Sequence, residues 1–371
     1  MRNHYSPVAQ TRTNTPLNTV YQQGKLGSIF VIILLLLTAF GCRAVEKPVK
    51  PLAFSVDGAI VTTAQPIIPT IRAYGSSFKT TFDNTASSVP ATTSLIVDNV
   101  RADAVTVAGV IVVSKKVLSP TSVKYEFRIA PGQYQTASFS VPTGSEYSFA
   151  VIGDNRDGRE IYTGLVNTFN EISPAFILNG GDLVSSGSES QYKTFMTDSA
   201  KLSIPFFTAL GNHDIKSDGR MHYNRLLAPD YYDFSWGNAR FFVLDNADGK
   251  MDEGQLAWLE NNLGNRTSEH VFILMHKPTF DPRPGGTHTV DSQELADRLE
   301  LMAAKYKVTA VFASHIHMYH HSVRLGIPYY ITGGAGAPLY TAADAGGIYH
   351  YLLVKIAGKE VTIEKRQLKS M

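Results

Sequence analysis

Five short apolar runs in the second half of the chain each stop at residues able to bind a metal ion. Tyr147 to Gly153 is followed by Asp154, Ala175 to Gly180 by Gly181-Asp182, and Pro205 to Leu210 by Gly211-Asn212-His213-Asp214. Val271 to Met275 leads into His276, and Val308 to Ala313 into Ser314-His315-Ile316-His317. Such runs, apolar on successive residues, read as strands buried on both faces. Between them Ile161, Leu165, Phe169 and Ile172, and farther on Leu256, Leu259 and Leu263, recur at helical spacing. Strands alternating with amphipathic helices make a layered α/β fold. In open α/β sheets ligands gather beyond the carboxyl ends of the strands, and all five polar groups fall there. Singly, each has an ordinary explanation as a turn, a helix cap or a structural histidine. Five at equivalent positions point to one shared site.

Upstream the texture is different. From about residue 45 to 143 β-branched residues dominate, punctuated by Gly, Pro, Asn and Asp. Val123, Tyr125, Phe127 and Ile129 alternate with Lys124, Glu126 and Arg128, the period of a strand with one buried face. The Pro131-Gly132 turn predicts that Tyr134 to Val141 returns beside it as a hairpin. A β-sandwich of immunoglobulin or fibronectin type is expected, with no ligand cluster and a spacer or docking role.

The first 42 residues read as an export signal. Arg2, Arg12 and Lys25 precede an apolar run from Ile29 to Phe40, which ends at Gly41 and the single cysteine, Cys42. That run has the length of a secretory core rather than a membrane span. Thr38-Ala39-Phe40-Gly41-Cys42 is similar to the bacterial lipoprotein signal, implying cleavage before Cys42 and its lipidation, although Ala39 stands where leucine is usual. The expectation is an exported lipoprotein of the periplasm or outer membrane, anchored through its N-terminal lipid; one cysteine also allows no internal disulfide.

Imidazole, carboxylate and amide oxygen without thiolate suit zinc, iron, manganese or similar divalent ions. With all five blocks in order, the stretch from about Tyr147 to Leu368 resembles the calcineurin-like metallophosphoesterase superfamily. The sandwich in front and Gly333-Gly-Ala-Gly-Ala-Pro-Leu-Tyr340 look like secreted bacterial relatives of purple acid phosphatases. The resemblance implies an α/β/β/α layered domain over residues 144–371 and a two-metal site. Asp182 would bridge the metals, Asn212, His276 and His315 would hold one, and Asp154 and His317 the other. His213 would be the general acid, its imidazolium steadied by Asp214, and a metal-bridging hydroxide the nucleophile.

Two departures from the family pattern stand out. The residue two after the first aspartate is commonly a metal-binding histidine, but here it is Arg156; purple acid phosphatases place a tyrosine three after the bridging aspartate, but here Ser185 stands there. A guanidinium has no lone pair to give a metal. Arg156 can grip phosphoryl oxygens, pair with Asp157 or another carboxylate, or mark a metal position that has decayed; the first is taken as the reading. The Asp154/His317 metal is then the weaker-bound one. Ser314 replaces the usual glycine, which is acceptable where φ is negative. His222 and His288 follow motif blocks and are candidates for substrate contact, whereas His320 and His321 read as strand-surface residues.

The balance of 34 basic and 32 acidic residues, net +2, excludes a bulk polyanion partner. No basic run with interleaved aromatics adjoins the motifs, so no nucleic-acid tract is expected; Lys277 and Arg283 suffice for one phosphate. Small phosphomonoesters or phosphodiesters are the expected substrates. The competing reading is an envelope-surface binding protein or pseudoenzyme on the same scaffold.

Overall fold

The computed structural model describes residues 52–63 and 68–368, all within one compact unit, Lys50–Met371. The export signal and Cys42 lie outside the described residues. Two sheets are built first. One orders β1 (Ala53–Asp57), β4 (Ser77–Asp83), β9 (Tyr134–Ser140) and β6 (Thr106–Ala108); the other orders β2 (Ala59–Thr63), β3 (Thr70–Ala73), β5 (Ala91–Asp98), β8 (Ser122–Ile129) and β7 (Ile111–Ser119). The alternation read in β8 is realised: Val123, Tyr125, Phe127 and Ile129 are buried while the residues between them are less so. Phe127 meets Phe82 of β4 at 5.7 Å and Phe139 of β9 at 6.2 Å between ring centroids.

That contact corrects the expected hairpin. β8 pairs with β5 and β7, whereas β9 pairs with β4 and β6 in the opposite sheet. Pro131-Gly132 therefore carries the chain across the core as an arch. Its backbone is satisfied not by a strand partner but by Asn84: the Asn84 carbonyl accepts from Gly132 N, and its side-chain amide donates to the carbonyls of Ile129 and Ala130. Both aromatic faces can be buried only if the strands stack instead of pairing.

The α/β part runs β10 (Glu146–Ile152), α1 (Arg159–Ile172), β11 (Ile177–Asn179), α2 (Glu189–Ser199), β12 (Phe206–Thr208), α3 (Gly219–Leu226), β13 (Tyr232–Trp236), β14 (Ala239–Val243), α4 (Glu253–Gly264), β15 (His270–Leu274), α5 (Gln293–Lys305), β16 (Ala310–Ala313), β17 (Tyr319–Arg324), β18 (Ile327–Thr332), β19 (His350–Ala357) and β20 (Glu360–Gln367). Two mixed sheets result, ordered β12-β11-β10-β19-β20 and β13-β14-β15-β16-β18-β17. Their inner faces meet through phenylalanines: Phe149 of β10 lies 5.2 Å from Phe241 of β14 and 5.3 Å from Phe272 of β15. On the outside of the second sheet, Leu256, Leu259 and Leu263 of α4 and Leu299, Met302 and Ala303 of α5 share a cluster with Val271 and Ile273. On the outside of the first, Phe169 of α1 packs edge-on to Tyr351 of β19 at 5.2 Å. Within α1 the buried stripe is Tyr162, Leu165, Val166 and Phe169, which leaves Ile172 at the exposed edge.

β10, β11 and β12 are parallel, as are β14, β15, β16 and β18, so their carboxyl ends open on the same rim. The edge of the first sheet is closed by the upstream region. Asn99, held at φ 64°, donates its amide to Phe206 O and accepts from Phe206 N, both at 2.9 Å, as a neighbouring strand would. Arg72 adds a bond to the same carbonyl at 3.1 Å and lies over the Phe206 ring. Such capping leaves β12 no exposed ladder there for another strand.

Candidate metal centre

The six expected ligands converge on the rim. Three of them, Asp154, Asp182 and His315, have φ of 60°, 55° and 67°, a left-handed backbone that costs on the order of 1 kcal/mol or more per non-glycine residue. Ser314 is not among the positive-φ residues. Its side chain occupies the gap above Gly153 and Gly180, where a methyl group on either glycine would collide with it, so these two strand-end glycines make room for the serine.

In the first half of the cluster, lone pairs are turned on one point. His276 Nδ1 donates to the Gly180 carbonyl at 2.8 Å, which strips the proton from Nε2. That Nε2 lies 3.0 Å from Asn212 Oδ1, 3.2 Å from His315 Nδ1 and 3.4 Å from Asp182 Oδ1. Burial pushes the His315 imidazole far down, so the ring stays neutral and keeps a lone pair to give. With Asn212 Oδ1 and Asp182 Oδ1, these two ring nitrogens form a compact set of nitrogen and oxygen donors that one cation can join. Asp182, His276 and His315 also meet the mutual spacing of one ion's ligands.

The second half comprises Asp154, Asp182 and His317. His317 Nδ1 donates to the Pro338 carbonyl at 2.6 Å, leaving Nε2 to face Asp154 Oδ1 at 3.5 Å. Both of those atoms are buried and without a hydrogen-bond partner, whereas Asp154 Oδ2 accepts from His315 N at 2.8 Å. A divalent ion fits between these orphaned atoms.

Arg156 enters from this side. Its Nε donates to Asp182 Oδ2 at 3.1 Å and its Nη1 to Asp157 Oδ2 at 2.6 Å. The arginine thus pairs with Asp157, one of the roles open to it from sequence, and also with the shared carboxylate, a contact no spacing foretold. Nη2 and one Nη1 hydrogen remain for an anion. Burial alone would raise the Asp182 carboxyl; the His276 imidazole beside it, the His213 N–H and the Arg156 guanidinium outweigh it and hold Asp182 below the usual carboxylate range.

One expected role is corrected. Asp214 does not steady His213: its carboxylate accepts from Gly211 N, Leu183 N and Val184 N at 2.8 to 3.0 Å. Those bonds brace the Asp182 loop against the Gly211 turn. Burial and the Asp182 charge push the Asp214 carboxyl well up despite them. His213 instead turns Nδ1 toward the Ser185 carbonyl at 2.6 Å, with Lys216 Nζ 2.9 Å away. The carbonyl contact is the shorter and places the proton on Nδ1.

Sequence reasoning missed Tyr340 as a site residue. Its ring stacks on His317 at 4.0 Å, its N–H donates to the His317 carbonyl, and the Arg283 guanidinium lies over the ring at 5.1 Å. The only signal was the Gly-rich stretch that ends there. His288 also reaches the rim, 5.4 Å from His315 and from Tyr340. His222 lies on α3 with Arg225 as its neighbour, and His321 stacks on Tyr330 on the β17 surface.

Comparison with known proteins supports the same frame. Residues 147–319 match the calcineurin-like phosphoesterase family. A protein named probable purple acid phosphatase 20 from Arabidopsis thaliana is 25% identical over 231 residues, covering 56% of this chain and 54% of its own. A probable glycerophosphodiester phosphodiesterase, GpdQ, from Arcobacter nitrofigilis is 27% identical over 161 residues, 39% of this chain and 57% of its own. The chain thus spans little more than half the length of these relatives. The solved structure of purple acid phosphatase PPD1 from yellow lupin shares the fold at TM-score 0.54 and 12% identity, over 84% of this chain and 72% of that one. With the motif blocks in register on this rim, residues 147–319 are similar to the calcineurin-like phosphoesterase family, and purple acid phosphatases are among the proteins this chain resembles.

Proposed function

We propose that the protein is a metal-dependent phosphoesterase acting on small phosphomonoesters or phosphodiesters. The observation that carries this is the set of donor atoms of Asp182, Asn212, His276 and His315 gathered on one point at the spacing of one ion's ligands. When bound, divalent ions there and between Asp154 and His317 would activate water and neutralise charge on the phosphoryl group. The chain's own residues do the remainder. His213, its Nδ1 fixed on the Ser185 carbonyl, presents Nε2 to the ester and gives its proton to the leaving alkoxide as the P–O bond breaks. The N–H groups of Arg156 not used by Asp182 and Asp157 hold a phosphoryl oxygen. Tyr340, stacked on His317, and His288, beside His315, stand next to the donor cluster.

The second reading, a binding protein on this scaffold, draws support from Arg156, which spends a cation on the carboxylate that the metals would share. Metal content and hydrolysis of generic mono- and diesters by the full chain, with Mn, Zn or Fe added and with EDTA, separate the two. The phosphoesterase reading expects bound metal and EDTA-sensitive turnover; metal-free protein that no ion activates favours the binding protein. We further read residues 45–143 as a β-sandwich domain of immunoglobulin or fibronectin type, supported by its two stacked sheets, and residues 144–371 as the catalytic domain. Export and lipid attachment at Cys42 complete the proposal, and label from palmitate retained by wild type but lost in Cys42→Ala tests them.

A further inference from the structure

Five of the fourteen large apolar side chains that are exposed among the described residues fall on one strand: Ile111, Val112, Val113, Val117 and Leu118 of β7, with Ile111, Val113 and Val117 more than half open to solvent. β7 is an edge strand, paired with β8 on one side only. The facing edge of the other sheet is β6, three residues against the nine of β7 and too short to cover it. Val112 and Val117 stand opposite Phe127 and Val123 on the inward side of their sheet and stay open for that reason. Lys115, opposite Tyr125, bridges part of the gap, its Nζ donating to the Val105 carbonyl at 3.0 Å. On the outward side Lys116 stands directly against Lys124, and Arg128 against Ile111. None of these three cations is in an ion pair among the described residues. Like charges directly opposite cost stability, so this edge keeps both apolar surface and unpaired cations that the fold itself does not use.

We propose that the β7 edge docks on an anionic lipid surface: Ile111, Val113, Val117 and Leu118 enter the boundary between headgroups and acyl chains, and Lys116, Lys124 and Arg128 meet lipid phosphates. Charge complementarity selects an anionic partner, and the state of the ladder selects a lipid surface over a strand. Val113 and Leu118 are bulge residues, each an extra residue with no partner on β8. They leave Ser114 to Val117 as the longest regular run, with two lysines at its middle, and bulges and lysines are what keep an edge from taking on another strand. A second copy is disfavoured further, because antiparallel pairing of two β7 strands would bring one Lys115-Lys116 pair against the other. A lipid surface asks for no ladder. It asks for exposed apolar side chains flanked by cations, and both are present on this one edge. The edge shares no residue with the donor cluster, so docking there depends neither on the phosphoesterase reading nor on Cys42.

Val113→Cys, in the full chain with Cys42→Ser, takes a nitrobenzoxadiazole label at a bulge residue; the same label at Ser55→Cys, on β1 at the far edge of the other sheet, is the control. Vesicles of phosphatidylglycerol and phosphatidylcholine in equal parts should move the emission at position 113 to the blue and leave position 55 unchanged. The affinity should exceed that for phosphatidylcholine alone about tenfold or more at low ionic strength, a preference that added salt erases. Lys116→Gln with Lys124→Gln should lower the affinity for the anionic vesicles about tenfold or more, and Ile111→Ser with Leu118→Ser should weaken it independently. Thermal midpoints that match wild type keep either loss from being one of folding. No shift at position 113, an equal shift at position 55, or an affinity that the lysine variant leaves unchanged overturns the proposal. A shift at position 113 that grows with protein concentration in the absence of vesicles names a second copy as the occupant and overturns it too.

Discussion

The two halves of the donor cluster sit on one rim and share one carboxylate, yet they are finished differently. The Asn212/His276/His315 half offers neutral donors around Asp182 Oδ1. The Asp154/His317 half shares Asp182 with a guanidinium fixed on Oδ2. A permanent cation a few ångströms from a divalent ion repels it by on the order of several kcal/mol even at a high effective dielectric. Charge that a side chain supplies permanently is charge the second metal no longer supplies with the same gain. The comparison teaches that a shared site can be made unequal without losing a donor atom, by what is bonded behind the bridging residue.

The largest expected effect removes what the halves have in common. Asp182→Ala should release both ions and lower turnover on the order of 10⁴-fold. Metal content after gel filtration checks it; one equivalent retained at wild-type affinity would break the claim that the halves share this ligand. Next in size is His213→Ala, which touches neither half. Metal content should stay while turnover of alkyl esters falls about 10²- to 10³-fold, and less for nitrophenyl esters, whose leaving group needs no proton. Equal losses for both ester types would exclude His213 as the acid. Smaller again is Arg156→His, which replaces the competing cation with a donor. It should tighten the second equivalent of metal about ten- to a hundredfold with little change in the first, as titration calorimetry would show. Parallel shifts in both equivalents would erase the asymmetry.

How much of this was legible in the chain follows from where each decision is made. Ligand identities and their strand-end placement were readable, because a run of apolar residues that stops at Asp154 or His276 fixes both the strand and its open end. The alternation of Val123 to Ile129 likewise fixed which residues of β8 face inward. What it could not fix was the partner: stacking and pairing bury the same face, and the choice fell to Asn84, nearly fifty residues upstream of the arch it satisfies. Asp214 shows the same limit at the site. Adjacency to His213 suggested that the two side chains cooperate, but on the turn after Gly211 they diverge, and three backbone N–H groups claim the carboxylate. Arg156 was visible as an anomaly, yet its partner Asp182 lies on a different strand end. Roles set by one residue and its local backbone are written in order along the chain; roles set by a hydrogen-bond partner from another loop are not.

The smallest effect concerns the support of the Asp154/His317 half alone. His350 is fully buried at the start of β19, with Nδ1 donating to the Ile348 carbonyl, Nε2 against Thr332 Oγ1 at 3.1 Å and its N–H on the Gly334 carbonyl at 3.0 Å. It therefore underpins the turn Thr332-Gly333-Gly334, and Gly333 packs so closely on Asp154 that a methyl group there would approach Oδ2 to 2.7 Å. Burial lowers the His350 imidazole from its ordinary 6.5 to about 4. Above pH 6.5 the ring is neutral folded or unfolded, and its contribution to stability is complete. Between pH 6.5 and about 4 the unfolded chain takes up a proton that the folded chain refuses, so stability falls as pH falls, by about 1 kcal/mol per unit. Urea midpoints of metal-free protein at pH 7.0, 6.0 and 5.0 should drop accordingly, and His350→Gln should flatten that slope whatever it does to the midpoint at pH 7. The support behind the other half differs in sign: His276 and Asp182 rest there on a carbonyl that accepts and a peptide N–H that donates, neither of which titrates, and the Asp214 carboxyl that braces the Asp182 loop is pushed up rather than down, so protonation there opposes the His350 slope. A slope unchanged by His350→Gln would move the acid sensitivity onto the ligands themselves, and the two halves would then differ only through Arg156.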